Sequence, residues 1–102
     1  MLNESFEEIG RKVGKLVDEK NAAYGNSFAK AGDFLRLCYP CGISPEQYDD
    51  ALCLVRMFDK QMRIATDKDA FGETPYKDIS GYGLLGIKYC SKSGQPDGGE
   101  KV

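Results

Sequence analysis

The stretch Asp49-Asp50-Ala51-Leu52-Cys53-Leu54-Val55-Arg56-Met57-Phe58-Asp59-Lys60-Gln61-Met62-Arg63-Ile64 decides the fold. Ala51, Leu54, Val55, Phe58 and Met62 recur every three or four residues, the period of an α-helix with a buried stripe. Leu52, Cys53, Met57 and Ile64 add apolar surface on other sides, so this helix is expected to be covered over more than half its circumference. Its start is signalled by Ser44 as cap, by Pro45 where a missing N–H does no harm, and by Gln47 closing a capping box. A run to about Ala65 would span roughly 30 Å.

Outward from this segment the spacing stays helical, and no strand-type alternation persists. Downstream, Thr66 to Glu73 reads as a loop. Thr74-Pro75 repeats the cap-then-proline signal and opens a last helix through Ile79, Tyr82, Leu84, Leu85 and Ile87 to about Tyr89. Gly81, Gly83 and Gly86 weaken that helix in isolation, so close packing is expected to stabilise it.

Upstream, Ser5-Phe6-Glu7-Glu8 is a capping box, and Phe6, Ile9, Val13, Leu16, Val17 and Lys20 share one face before Gly25 supplies a stop. Gly10 and Gly14, one turn apart, suggest another helix passing close. A shorter helix follows from Ser27 to about Leu37, with Phe28, Ala31, Leu35 and Cys38 expected inward, and Tyr39-Pro40-Cys41-Gly42 breaks it. The expectation is an all-α domain over 1–90, of three longer helices and one short one packed with an oligomer partner, followed by a flexible tail at 91–102.

Composition narrows the function. The 102 residues suffice for one small domain, and 14 basic against 16 acidic side chains leave no basic excess for a long nucleic acid. There is no histidine, which excludes His-based nucleophile–base pairs and imidazole zinc sites. No apolar run reaches the ~20 residues of a membrane span, and the acidic start lacks the features of a signal peptide. A cytoplasmic protein is expected. Cys38 and Cys41 form a CxxC, but Cys53 and Cys90 stand apart in helical patterns, so the thiols read as reduced and structural or merely tolerated, with redox or metal chemistry as the alternative.

The chemistry is concentrated in charged side chains. Arg56, Asp59, Lys60 and Arg63 lie at i, i+3, i+4 and i+7, on one face of the long helix. They form either a solvated face with Asp59 bridging the arginines, or a cationic stripe lining a cleft for an anionic ligand. Arginine suits the second role because its planar fork holds two phosphate oxygens at once. Around the end of the first helix, Lys20 and Asn21 precede Tyr24 and Phe28, aromatic surfaces on which a base could stack. Ser27 opens the next helix at an anion-friendly end, although Tyr-Gly-Asn-Ser is also an ordinary helix connection. Asp78 falls in the first turn of the last helix, where a negative charge is favourable without any ligand. Pointed at the arginines, it could balance them or hold a metal.

Lys20-Asn21, Tyr24-Gly25-Asn26-Ser27-Phe28, Arg56-x-x-Asp59-Lys60-x-x-Arg63, Glu73, Asp78 and Gly81-Tyr82 resemble a family of short bacterial and phage proteins. The family is nucleotide modification associated domain 1, similar in outline to the MazG-type all-α nucleoside triphosphate pyrophosphatases. The resemblance spans roughly 6–88. It implies a helical nucleotide-associated protein, often from a phage and then at work in the host cytoplasm, and oligomeric. The MazG pattern pairs Glu-x-x-Glu with Glu-x-x-Asp to hold magnesium. Here Glu4-x-x-Glu7 and Glu46-x-x-Asp49 lie at helix starts, where acidic residues are expected anyway.

The favoured expectation is a homo-oligomeric nucleotide binder with no cofactor and no catalytic residue. Its ligand-binding residues would be Lys20, Asn21, Tyr24, Ser27, Phe28, Arg56, Asp59, Lys60, Arg63, Asp78 and Tyr82. In a phage setting it would sequester a cyclic or ADP-ribose-like signal of host defence. The alternative is a magnesium-dependent pyrophosphatase with Asp59 and Asp78 on the metal and Glu19 and Glu73 as further ligands. A purely structural interaction module is the third class.

Overall fold

The structure, a computed structural model, describes residues 3–90; the expected tail at 91–102 lies outside the described residues. The chain forms helices α1 (Phe6–Ala23), α2 (Ser27–Cys38), α3 (Tyr48–Asp67) and α4 (Pro75–Tyr89), with short 3-10 turns at Pro45–Gln47 and Ala70–Gly72. Among the described residues there is no strand. The all-α expectation holds, with α2 the short helix. No helix is long and apolar enough to cross a membrane.

Caps set the boundaries. The Ser5 hydroxyl accepts from the Glu8 N–H at 3.1 Å and starts α1. At Ser44 the backbone N–H donates to Gln47 Oε1 at 3.0 Å, but the box launches a 3-10 turn first, and α3 proper begins at Tyr48. Between α1 and α2 the chain reverses through two left-handed residues, Gly25 (φ 61°) and Asn26 (φ 58°). The Asn26 N–H reaches the Asn21 carbonyl at 3.0 Å and the Gly25 N–H reaches Ala22 at 3.2 Å, the paired bonds of a Schellman stop. A Cβ at Gly25 would collide with the Thr66 hydroxyl, so the turn sits directly against the end of α3.

α3 is the central element, packed most closely against α4 and α2 and only lightly against α1. Phe34 of α2 stacks on Phe58 of α3 with ring centroids 4.5 Å apart. α4 runs antiparallel to α3: Cys53 faces the Tyr82 carbonyl, and further along α3 Lys60 meets Asp78.

Three packing expectations are corrected. Phe28 does not face inward but is 91 % exposed, because the buried Ser27, about 100° round the helix, takes the inward position. Cys38 ends α2 exposed. A Cβ on Gly10, Gly14, Gly81, Gly83 or Gly86 would meet nothing within 4 Å, so the close helix passages expected at these glycines are not made among the described residues. For Gly10 and Gly14 the reason is that α1 runs out from the body, with every residue from Phe6 to Ala22 exposed.

Candidate functional site

Most burial occurs where the end of α1, the α1–α2 turn, the end of α3 and the start of α4 meet. Ala23, Ser27, Arg63 and Pro75 are all buried there. Arg63 is only 2 % exposed. Its Nη2 donates to the carbonyls of Lys68 (3.3 Å) and Glu73, tying the 68–74 connection back onto α3. Its Nε has no partner.

Tyr24, at the end of α1, sits in front of these cations. Its hydroxyl accepts from Lys60 Nζ at 3.2 Å, its ring lies 6.0 Å from the Arg63 guanidinium carbon, and Phe71 stacks on it at 6.4 Å. Lys60 also pairs with Asp78 at 3.1 Å. Burial alone would push the Tyr24 phenol up; hydrogen bonding and charge from Lys60 and Arg63 together outweigh it and hold the phenol below 10.0. Burial alone would likewise lower Lys60, but Asp78 and Tyr24 stabilise the ammonium and raise it above 10.5.

Tyr24 also lines a cavity of about 490 Å³, together with Val17, Lys20, Asn21, Asn26, Ser27, Phe28 and Asp59. Among the described residues Lys20 has no carboxylate partner; its ammonium lies 5.9 Å from the Phe71 ring centroid. Lys20 and Asp59 face the same space with opposite charge, and Tyr24 and Phe28 supply the aromatic surface.

The candidate residues therefore separate into three groups. Lys20, Asn21, Tyr24, Ser27, Phe28 and Asp59 share the cavity. Lys60, Arg63 and Asp78 stand behind Tyr24, with Lys60 and Asp78 matched to each other and Arg63 spent on backbone carbonyls. Arg56 and Tyr82 line a different groove of about 350 Å³ between α3 and α4. The charged stripe does not converge on one hollow. At 100° per residue its members spread over an arc of about 100°, wide enough for Asp59 to reach the cavity while Arg56 and Lys60 meet α4.

Phe71 was not legible as part of this cluster. It lies in the 68–74 connection with φ 63° beside Gly72, and an aromatic next to a glycine in a loop was the available signal. Among the described residues no three Cys, Asp or Glu side chains gather as metal ligands, and Asp59 and Asp78 serve different surroundings. Comparison of the chain with protein-family models, curated proteins and solved structures gave no match.

Proposed function

We propose that this chain binds a small phosphate-bearing nucleotide in the cavity beside Tyr24 and holds it without cleavage. The observation that carries the reading is the pairing, in one 490 Å³ space, of an ammonium without a carboxylate partner among the described residues and two aromatic rings. Lys20 would take a phosphate as a point charge. Tyr24 and Phe28 offer faces for the base, and Asn21 and Asp59 hydrogen-bond its edge or a ribose hydroxyl. Lys60 and Arg63 act at one remove, by fixing Tyr24.

The resemblance to the nucleotide modification associated proteins supports the same ligand class. In that setting the chain works in a host cytoplasm as a phage anti-defence protein, removing a cyclic or ADP-ribose-like signal, and acts as a homo-oligomer. Retention rather than hydrolysis is supported by the donor set: among the described residues the cavity is lined by one carboxylate, Asp59, rather than by the paired acidic motifs of the MazG pattern.

Isothermal titration with ADP-ribose, a cyclic dinucleotide and a nucleoside triphosphate tests the reading, with mass spectrometry of the recovered ligand. Binding of one of them, weakened at least about tenfold by Lys20→Ala and with the ligand returned intact, is expected, as loss of a charge-assisted contact costs about 1.5–3 kcal/mol. Absence of binding across the panel overturns it. Magnesium-dependent release of pyrophosphate would replace it with the pyrophosphatase alternative.

A further inference from the structure

α1 carries an apolar seam that the other described residues leave uncovered. Phe6 is 94 % exposed, and Ile9, Val13, Leu16 and Val17 are each about half exposed or more. Phe6, Ile9, Val13, Leu16 and Lys20 follow one another by 3, 4, 3 and 4 residues, the alternation of a coiled-coil seam. Beside the seam lie Gly10 and Val17 on one flank and Lys12 and Glu19 on the other.

We infer that the occupant of this seam is the α1 helix of a second copy of the chain, running antiparallel about a twofold axis. The sequence of the flanks selects the direction. Antiparallel pairing at the register where Val13 meets the partner's Leu16 sets Ile9 against the stem of the partner's Lys20. It also brings Lys12 beside the partner's Glu19, and Gly10 beside the partner's Val17, with each contact made twice. Lys12 holds Glu4 of its own chain and stays exposed, so it can take a second carboxylate. Parallel pairing would instead stack Lys20 on Lys20 and set no opposite charges across the flanks. From Phe6 to Lys20 the seam runs about 21 Å along the helix.

In this register the partner's Phe6 arrives at the level of Ala23 and Tyr24, where Val17, Lys20 and Asn21 already line the cavity. The second copy thus supplies an aromatic side chain to the open side of the site. This last step rests on the proposed nucleotide reading; the helix pairing does not.

The pairing is tested without any nucleotide. Sedimentation equilibrium at tens of micromolar is expected to show about twice the 11.3 kDa chain mass. Ile9→Glu with Val13→Glu is expected to give the single-chain mass at unchanged near-ultraviolet circular dichroism, since both residues lie on the exposed stretch of α1. Lys12→Glu is expected to weaken the dimer, and adding Glu19→Lys to restore it. A photo-crosslinking benzophenone amino acid replacing Phe6, in a mixture of isotopically light and heavy chains, is expected to join the 20–28 segment of the other copy.

Crosslinks from position 6 to the same region of the other copy would mean parallel pairing. Crosslinks elsewhere, or a single-chain mass for the native protein, would mean that another partner covers the seam. Either result overturns the inference. A dimer that binds none of the nucleotides refutes the proposed function alone, whereas ADP-ribose bound by an 11.3 kDa species refutes the dimer alone.

Discussion

The amino-terminal half of α1 and the junction beneath Tyr24 invert the usual placement of side chains. Along α1, phenylalanine, isoleucine, valine and leucine stand in the open, while at the junction an arginine is among the most buried side chains of the described chain. The junction needs Arg63 because a helix end and a short return leave carbonyls, at Lys68 and Glu73, without helical partners. A guanidinium fork satisfies more than one of them, and one ring of the α1–α2 turn, Tyr24, covers it. The arm has its helical hydrogen bonds but no covering neighbour among the described residues. Polar satisfaction therefore organises the interior of this small chain, and its longest hydrophobic seam is directed outward.

That contrast can be broken most severely at Arg63. Arg63→Ala removes a buried side chain and the donor to the Lys68 and Glu73 carbonyls and is expected to cost about 3 kcal/mol in urea denaturation, whereas Arg63→Lys keeps the charge but loses the fork and should fall between. A loss below about 1 kcal/mol would show that the junction does not depend on the guanidinium. Gly25→Ala comes next. Its left-handed φ and the Thr66 hydroxyl in the path of a Cβ combine to an expected loss of about 1–3 kcal/mol by thermal or urea unfolding.

A smaller effect belongs to Lys60. Lys60→Met removes the pairings with Asp78 and Tyr24 at an expected cost of about 1 kcal/mol at neutral pH. The pH dependence follows from the two shifts. Lys60 is raised, so its contribution is complete below 10.5 and is lost as pH rises through its higher folded value. Tyr24 is lowered, so its ionisation favours the folded chain above 10.0 and that contribution fades as pH falls through the folded value. Absorbance titration near 295 nm should reveal a tyrosine ionising ahead of an ordinary phenol. In Lys60→Met it should move up, because burial remains while a stabilising cation is gone.

The mildest test concerns the arm itself. Gly14→Ala meets open space and is expected to stabilise the chain by about 0.5–1 kcal/mol through helix propensity. A loss of stability instead would show a close neighbour at that position.

The helices were legible because caps and apolar period are local properties. Ser5, Ser44, Thr74-Pro75 and Gly25 placed boundaries within a few residues of those observed. The candidate site was half legible. Lys20, Asn21, Tyr24, Ser27 and Phe28 lie within two turns of a single chain reversal, so proximity in sequence guarantees proximity in space. The grouping of Arg56, Asp59, Lys60 and Arg63 was not, since a helical face about 100° wide borders two different neighbours and periodicity does not say where one ends. Phe71 joins Tyr24 through a return of the chain whose path depends on Arg63.

By itself the amino-acid sequence determined four helical segments, the helix stop at Gly25 and the absence of imidazole chemistry, all consequences of backbone sterics and side-chain inventory acting over a few residues. Only the tertiary structure decided that Lys60 is matched by Asp78, that Arg63 is buried against carbonyls, and that α1 stands away from the body. Those outcomes depend on the distances and desolvation created when helices meet, and the charge of a residue acquires a role only after its neighbours are set.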